Sequence, residues 1–485
     1  MAAVVLAICG LAYLLLARFA LDAFPVSGDE HSYLLQGQVF SRGHLAVPAP
    51  PNARLFEVDH VVIDDRVRSK YPPGWPGLLA LGFALGAPWA VSPVCAVLAL
   101  ALIYGAARRL DGAEAALVGT VLVGLSPFFA LNAASFHSHV PALLFEAAFV
   151  FSVLRGMQGL PDDPAAQPQA PGTSLVWAAA GGGALGGLML IRPADAILCG
   201  LPLIVVRRRP AFVMACIGGA LAVGWLSFAY NAAQFGSPWR SGYAAYDPMA
   251  RKLFGDRGAA TLSLRYLNPI DQWNHLGWFA DLALWLVPGT LVLAIVGLAR
   301  PEPLDVRRRF VRALVVTPCL VVPFLASSSG DGYGPRYLFP TLVPLALAAA
   351  HAWVRLGAWL DLHPAVARGS PGRRKRGCEL ALVAMLAAGL VRAGMFTEQH
   401  HVNVLHRSSL YRRVHDMGLE HVVVVIKSRA PTFFARNLSV FDGPIIYVSP
   451  WGMTDHAIAA LFPDRSVYSA EQHLDEKDWT VTAVP

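Results

Sequence analysis

Charged residues are scarce in this sequence. Asp, Glu, Lys and Arg make up 15% of its 485 residues, whereas a soluble domain carries about 25%. Hydrophobic residues make up 55%, and the mean hydropathy is +0.48. This composition predicts a polytopic membrane protein. The net charge of +7 does not indicate nucleic acid, because most Arg and Lys residues stand in short runs between hydrophobic segments, as in cytoplasmic loops.

Several motifs are also missing. The six cysteines lie in or beside apolar segments and include no C-x-x-C pair, so the sequence indicates neither a disulfide framework nor a thiolate metal site. It contains no phosphate-binding G-x-x-x-x-G-K-[ST] loop, no G-x-G-x-x-G after a strand and no internal repeat, so cytosolic nucleotide chemistry is not supported. The N-terminus has no basic region before its first hydrophobic stretch, which predicts an uncleaved helix.

Twelve apolar segments are candidate membrane spans: 2–22, 74–87, 88–107, 113–131, 139–155, 175–191, 195–206, 211–230, 281–299, 310–327, 337–357 and 379–396. Segment 74–87 is short, rich in Gly and interrupted by Pro76, so we expect a juxtamembrane helix there. The other eleven segments, taken as spans, place on one side the basic residues Arg108, Arg155, Arg207, Arg307 and Arg373. Since basic loops face the cytoplasm, we expect a cytoplasmic N-terminus and an extracytoplasmic C-terminus in the inner or plasma membrane.

The predicted fold is therefore an all-α polytopic membrane domain over residues 1–396, with about 11 transmembrane helices and a first outer loop at 25–87. Residues 397–485 differ in character. They contain strand-like runs at His421–Ile426 and Ile445–Val448, a helix-like run at Met453–Leu461 and a short strand near Val467. This pattern predicts a small extracytoplasmic α/β domain.

The predicted topology gathers many polar residues on the outer face. They are Asp29, Glu30 and Lys70, then His137, Ser138 and His139, then Arg192 and Asp195, then Asn231, Trp239, Arg240, Tyr243, Tyr246, Asp247, Arg265, Tyr266, Asp271 and His275, and finally the segment from Ser327 to Tyr337. Trp75, Trp239, Trp273 and Trp278 are expected to form an interfacial aromatic belt rather than sugar platforms.

Asp29 and Glu30 stand where the chain leaves the first span. The simplest interpretation is a solvated polar loop. However, two adjacent carboxylates beside lipid cost desolvation and repel each other unless a cation, proton or substrate compensates them. Such a pair suits group transfer from a lipid-anchored donor, in which a carboxylate accepts the proton of an acceptor hydroxyl. Lys70 and Arg336 would stabilise the departing phosphate.

Other polar residues have two interpretations each. His137 and His139, with Asp29 and Glu30, could form a nitrogen and oxygen metal site, or the two histidines could cap the helix that begins near Pro141. Arg336 could bind phosphate or extend its side chain to lipid headgroups.

Three further ionisable residues lie at or within predicted spans. Arg192 is most simply paired with Asp195. Glu146, inside a span, is either functional or a protonated carboxyl bonded to a neighbouring helix.

Three short motifs carry a family resemblance: Asp29-Glu30 after the first span, Lys70-Tyr71-Pro72-Pro73-Gly74, and Gly334-Pro335-Arg336-Tyr337. Over residues 1–360 the pattern resembles the GT-C glycosyltransferases, in particular the protein O-mannosyltransferases, the lipid A aminoarabinose transferases and related bacterial membrane glycosyltransferases. Those families use polyprenyl-phosphate sugars on the extracytoplasmic face and have juxtamembrane helices in the first loop.

The resemblance implies that Asp29 is the catalytic acidic position, that Glu30 is its neighbour and that Lys70 contacts the lipid phosphate. Ser69 departs from the pattern, because some members carry a second acidic residue before the lysine. This departure weakens the case for a metal ion at that position.

The sequence thus predicts an inverting hexosyl- or pentosyltransferase that uses a polyprenyl-phosphate-linked donor and a lipid, glycan or protein acceptor. Its predicted site residues are Asp29 as general base, Glu30 as its support, Lys70, Arg336 and Tyr337 at the donor phosphate, and His137 and His139 as further members. A divalent metal ion is a candidate cofactor. The alternatives are a lipid or glycan transporter or flippase, whose charged residues would line a path, and an inactive scaffold that presents the C-terminal domain.

Overall fold

The computed structural model describes residues 1–158, 172–246, 269–299, 305–325, 332–362, 371–428, 434–437, 441, 443–473 and 478–485. Parts of the predicted outer-face set lie outside these residues: Asp247, Arg265, Tyr266, the segment from Ser327 to Asp331, and the side chains of Asp271 and His275. The side chain of Trp273, from the predicted aromatic belt, also lies outside them.

Helices dominate the described part of the chain. The α-helices are α1 Ala2–Leu15, α2 Gly28–Ser41, α3 Gly74–Ala84, α4 Val91–Gly124, α5 Pro127–Ala134, α6 His139–Met157, α7 Thr173–Ile191, α8 Pro193–Gly200, α9 Pro210–Phe235, α10 Gly242–Tyr246, α11 Pro269–Trp285, α12 Thr290–Leu298, α13 Val306–Leu325, α14 Leu342–Leu362, α15 Pro371–Asp416 and α16 Asp455–Ala459. Tighter or wider helical turns occur at Leu16–Ala20, Ala53–Phe56, Pro88–Ala90, Leu201–Val206 and Arg336–Thr341.

Seven of the described helical segments are long and apolar enough to cross a bilayer: Ala2–Ala20, Pro88–Gly124, His139–Met157, Thr173–Ile191, Pro210–Phe235, Arg336–Leu360 and Lys375–Asp416. An eighth candidate is the pair Gly277–Trp285 and Thr290–Leu298, which is bent by 115°. The predicted class, a polytopic helical membrane protein with a C-terminal appendage, is confirmed.

The remaining predicted spans also fall on helical segments. Helix α4 is interrupted at Gly112. The predicted span 88–107 covers the turn Pro88–Ala90 and the part of α4 before this break, and the predicted span 113–131 begins after the break and ends within α5. The predicted span 310–327 lies on α13, and 195–206 lies on the short apolar segment Pro193–Val206. Segment 74–87 forms the 11-residue helix α3, too short to span a bilayer, which needs about 20 residues.

The first outer loop is more ordered than its sequence indicates. It contains α2, α3 and a three-stranded antiparallel sheet of β1 Val47–Pro48, β2 Val61–Ile63 and β3 Arg66–Ser69, with β3 in the centre. In the β2–β3 register, Val61 pairs with Ser69 and Ile63 pairs with Val67. This short hairpin returns the chain toward α2.

The C-terminal residues form a four-stranded sheet. Its strands are β4 Val422–Lys427, β5 Ile445–Val448, β6 Ser466–Gln472 and β7 Trp479–Ala483, in the order β5-β4-β6-β7. Strand β4 runs parallel to β5 and β6, and β7 is antiparallel to β6. The predicted α/β character of the tail is therefore present, and β5 has the predicted bounds.

The C-terminal sheet packs directly on the first outer loop. Val422 and Val424 of β4 lie in one buried cluster with Val61 and Val67, and Val423 lies in a cluster on the opposite face of the sheet. Each fully buried side chain of this kind contributes about 1.5–3 kcal/mol by leaving water. Helix α15 runs without a break through position 396, the predicted boundary between the two domains.

A buried arginine reinforces this contact. Arg436 is 8% exposed, and its guanidinium donates to the backbone carbonyls of Pro25 and Val26, at 3.1 Å for Val26. These carbonyls immediately precede α2. The C-terminal domain therefore holds the backbone from which the first acidic residues emerge.

Candidate active site

Helix α2 begins in a capping box that fixes the predicted acidic pair. The Ser27 hydroxyl accepts a hydrogen bond from the Glu30 backbone N–H, and Glu30 Oε2 accepts from the Ser27 N–H at 3.0 Å. This reciprocal arrangement satisfies N–H groups that a helix start leaves unpaired. It also places Asp29 in the first turn, where the helix dipole favours an anion.

Glu30 lies beside the site, and backbone N–H groups hold both of its carboxylate oxygens. It is 1% exposed. Its Oε2 also accepts from the Val26 N–H at 2.9 Å, and its Oε1 accepts from the Phe136 N–H at 3.0 Å. The Trp75 indole N–H donates to the Phe136 carbonyl at 2.7 Å. Glu30 therefore joins the start of α2 to the segment before α6.

Three side chains donate to Asp29. His60 Nε2 lies 3.0 Å from Oδ1, the Tyr71 hydroxyl donates to the same oxygen, and Arg336 donates to Oδ2 at 3.0 Å. The Asp29 side chain is only 19% exposed. The site therefore brings together the first outer loop and the segment before α14.

These contacts decide the charge of Asp29. Burial raises the pKa of its carboxyl, but the hydrogen bond and charge of His60 and the charges of Arg336 and His137 outweigh burial and hold the pKa well below its usual range. Asp29 is therefore ionised at neutral pH. As long as all three donors remain, it is a weak base.

Arg336 does not extend to solvent. Its side chain is 12% exposed, and its Nη1 lies 3.4 Å from His137 Nδ1 as well as 3.0 Å from Asp29. The lipid-headgroup alternative for Arg336 is therefore wrong. The neighbouring Tyr337 is 37% exposed and makes none of the described hydrogen bonds to Asp29.

The two predicted histidines are buried side by side, with ring centroids 5.7 Å apart. Burial and the charge of Arg336 lower the pKa of His137, although Glu30 and Asp29 oppose this shift. His139 packs on Phe339 at 5.6 Å, and neither of its ring nitrogens has a hydrogen-bond partner among the described residues. The imidazoles do not cap α6 in the described structure, whose N-cap residue is Ser138 without a side-chain cap bond.

Lys70 lies in a cage of tyrosine rings beside Asp29. Its Nζ is 5.2 Å from the ring centroid of Tyr71, 5.3 Å from that of Tyr243 and 4.8 Å from that of Tyr246. A cation over several aromatic faces is held by their electrostatic attraction. Tyr71 also donates to Asp29, so it connects the predicted lysine to the predicted base.

The predicted metal set does not assemble. Within the described ranges, no group of three or more His, Cys, Asp or Glu side chains is placed to hold a metal ion. Both Glu30 oxygens accept from backbone N–H groups, and His139 packs against Phe339. Ser69 is also engaged, because its hydroxyl lies 2.7 Å from the Ser32 hydroxyl.

Other predicted residues lie nearby. Arg192 pairs with Asp195, as expected; Asp195 is buried and Arg192 is partly buried. Glu146 is buried within α6, and its Oε1 has no hydrogen-bond partner in the part of the chain that is described. The aromatic-belt prediction is wrong for Trp75, which is 1% exposed, and for Trp278, which is 6% exposed, whereas Trp239 is 66% exposed.

Sequence reasoning missed His60, Tyr71 and Ser27. The spacing of Ser27 and Glu30 is the S-x-x-E signature of a capping box, so the sequence alone could have predicted a helix capped by Ser27. Tyr71 lies inside the motif that carried Lys70, but nothing in the sequence pairs it with Asp29. His60 is an isolated histidine in a long loop, and only the β2–β3 hairpin shows where its ring lies.

The architecture of this chain is similar to that of several solved structures. The chain is similar to ArnT from Cupriavidus metallidurans bound to undecaprenyl phosphate, with a TM-score of 0.62 and 14% identity over 98% of this chain and 97% of that one. The apo ArnT structure gives a TM-score of 0.56 and 15% identity over 100% and 98% of the two chains.

A second similar fold is archaeal. The oligosaccharyltransferase AglB from Archaeoglobus fulgidus, in complex with an inhibitory peptide and a dolichol-phosphate, gives a TM-score of 0.52 and 12% identity over 97% of this chain and 69% of that one. No protein-family model and no curated protein matches the sequence. ArnT and AglB are both GT-C glycosyltransferases, and this chain has the GT-C fold.

Proposed function

We propose that this chain is an inverting glycosyltransferase that moves a sugar from a polyprenyl-phosphate-linked donor to a lipid, glycan or protein acceptor on the extracytoplasmic face. The observation that carries the proposal is the partly buried Asp29 carboxylate, which Arg336 and His60 both contact at 3.0 Å. The similar folds of ArnT, bound to undecaprenyl phosphate, and of AglB, with a dolichol-phosphate, support a lipid phosphate as ligand.

The proposed reaction is a single displacement. The acceptor hydroxyl attacks the anomeric carbon of the donor sugar, and its proton passes to the Asp29 carboxylate. The bond from the anomeric carbon to the phosphate oxygen breaks, and its electron pair leaves with the phosphate. Attack opposite the leaving group inverts the configuration of the sugar.

Arg336 explains how a weakly basic carboxylate can serve in this reaction. Before the donor binds, the guanidinium neutralises Asp29 at 3.0 Å. A donor phosphate would compete for the same N–H groups and draw positive charge away from Asp29. The pKa of Asp29 would then rise toward its ordinary value, so the carboxylate would become a better base when the donor is present.

Lys70 and the neighbouring histidines complete the proposed donor site. The Lys70 ammonium, held by the rings of Tyr71, Tyr243 and Tyr246, would supply a further positive charge to the leaving phosphate. His137 lies against Arg336, and His139 is the adjacent buried imidazole. Tyr337 would contact the donor from the exposed side of Arg336.

The proposed orientation has a cytoplasmic N-terminus and an extracytoplasmic C-terminus. It rests on the basic residues between spans, which the positive-inside bias places in the cytoplasm. The site formed by Asp29, Lys70 and Arg336 would then face outward, together with the C-terminal sheet.

The test is transfer from a panel of radiolabelled polyprenyl-phosphate sugars by the purified protein, with membrane extract as the acceptor pool. Labelled product that depends on the protein and on one donor sugar supports the proposal. Movement of labelled lipid across proteoliposomes without transfer from any donor would contradict it and favour a transporter.

A further inference from the structure

His60 connects the proposed base to the proposed phosphate-binding lysine. Its backbone has a φ of 66°, in the left-handed region that residues other than glycine rarely adopt. Its carbonyl accepts from the Ser32 hydroxyl at 2.7 Å and from the Lys70 N–H at 3.2 Å. One residue is therefore fixed both to α2 and to the strand end that carries Lys70.

The ring of His60 points from this anchored backbone to Asp29. Nε2 lies 3.0 Å from Asp29 Oδ1, and the His60 side chain is 31% exposed. The ring also lies 5.9 Å from Tyr71 and 5.7 Å from Tyr246, measured between centroids. Its orientation is thus determined by the carboxylate and by the rings that surround Lys70.

Gly28 makes this approach possible. A Cβ atom at position 28 would lie 2.9 Å from Asp59 Cβ and 3.1 Å from His60 Cδ2. Such distances are shorter than ordinary van der Waals contacts, so any larger residue would push the hairpin away from the start of α2. The sequence Gly28-Asp29 therefore combines the carboxylate with the space that its imidazole partner requires.

We propose that His60 is a positioning residue that orients the Asp29 carboxylate, fixes its place relative to Lys70 and sets the pH range in which transfer occurs. This inference rests on the proposed function, because it assigns His60 a role in the same reaction.

Of the groups around Asp29 that lower the pKa of its carboxyl, His60 has the largest effect. Titratable and charged groups face Asp29 from every surrounding element: Tyr33 on its own helix, His60 and Tyr71 from the first outer loop, His137 and His139 before and at the start of α6, Tyr243 on α10, and Arg336 before α14. Both the hydrogen bond and the charge of His60 lower the pKa of Asp29.

The transfer rate should depend on pH through the ionisation of Asp29. Asp29 must be ionised to accept a proton, so transfer falls at low pH as the carboxylate becomes protonated. Removing the His60 imidazole raises the pKa of Asp29, and the acid limb of the pH–rate profile moves to higher pH. Glutamine at position 60 retains an N–H donor but no titratable charge, so its shift is smaller.

The test is the pH dependence of kcat at saturating donor for wild type, His60→Ala and His60→Gln, because kcat reports the donor-bound enzyme, in which the proposed mechanism returns the pKa of Asp29 toward its ordinary value. The control is His44→Ala, an exposed histidine of the same loop. We expect an upward shift of the acid limb by about one pH unit in His60→Ala, a smaller shift in His60→Gln and none in His44→Ala. The activity of His60→Ala should therefore recover toward that of wild type at alkaline pH.

A merely structural His60 would lower the rate by the same factor at every pH, and parallel profiles for wild type and both His60 variants would overturn the inference. The His60→Gln comparison keeps the test decisive if His60→Ala does not fold. Transfer by wild type with unshifted variants would refute the role of His60 alone. Absence of transfer by wild type with every donor would overturn the proposed function, and the inference with it.

Discussion

The guanidinium of Arg336 lies 3.0 Å from the Asp29 carboxylate, although 307 positions separate the two residues in the sequence. This ion pair joins the first outer loop to the segment that begins the span Arg336–Leu360. In the proposed reaction, the cation that neutralises the base would also bind the incoming phosphate. Binding of the donor and the basicity of Asp29 would then be coupled through one side chain.

Replacing Arg336 by Gln tests this coupling. We expect weaker binding of undecaprenyl phosphate and a transfer rate lower by about 10²–10³. The binding readout is thermal unfolding, because a ligand that binds the folded state raises Tm. The lipid phosphate should raise the Tm of wild type but not that of Arg336→Gln. Arg66→Gln, at an arginine of the first outer loop that is 43% exposed, should retain the wild-type response, and an equal response in all three proteins would contradict the assignment.

Tyr71→Phe removes one donor to Asp29 and leaves the aromatic ring in place. The ring contacts Tyr33 at 4.4 Å and Lys70 at 5.2 Å, and both contacts remain available to phenylalanine. A hydrogen bond to a charged group contributes about 1.5–3 kcal/mol, so we expect a loss of transfer of about ten- to a hundredfold. Since the lost bond favoured the ionised carboxylate, the acid limb should move to higher pH. An unchanged pH–rate profile would show that Tyr71 does not influence Asp29.

Gly242→Ala tests the cage around Lys70. A Cβ at position 242 would lie 2.2 Å from the Lys70 carbonyl oxygen, so helix α10 must move and carry Tyr243 and Tyr246 with it. We expect a higher KM for the donor and a smaller change in kcat. Gly218→Ala on α9 is the matched control, because no atom lies within 4 Å of its added Cβ. Equal kinetics for the two variants would contradict a role for the cage.

Glu30→Gln separates a structural role from a catalytic one. The Glu30 carboxylate accepts from the backbone N–H groups of Val26, Ser27 and Phe136, and an amide NH2 cannot accept from them. We expect a loss of stability of about 1–3 kcal/mol, measured as a lower Tm in detergent. Activity per folded molecule should fall much less than in Asp29→Asn. A variant with wild-type Tm and no activity would instead place Glu30 in the reaction.

The sequence was most informative for charged residues, which have few roles in a membrane protein, and for short apolar runs between turn residues. Asp29, Lys70 and Arg336 were predicted because topology and charge bias placed them on one face, and the structure brings Asp29 and Arg336 into contact. Strand β5 was predicted with its observed bounds because Ile445–Val448 is a short apolar run between turn residues. These features are local or depend only on which side of the membrane a residue lies.

The missed features depend on contacts between distant segments. Strands β1, β2 and β3 contain two to four residues each, too few for a visible alternation of side chains. The role of His60 depends on the turn before β2, and the burial of Trp75 depends on the Phe136 carbonyl. Helix α15 continues through position 396 because its polar end packs with the C-terminal sheet, which a change in composition alone does not show.

The most direct measurement of the central claim is the transfer rate of Asp29→Asn beside that of Asp65→Asn. Asp65 is an aspartate of the same loop whose side chain is 77% exposed, so the two substitutions remove the same charge from the site and from the surface. A general base contributes about 10²–10⁴ to a rate. We predict a loss of that size in Asp29→Asn, with retained folding and lipid-phosphate binding, and a wild-type rate in Asp65→Asn. Equal transfer by the two variants would remove Asp29 from the mechanism.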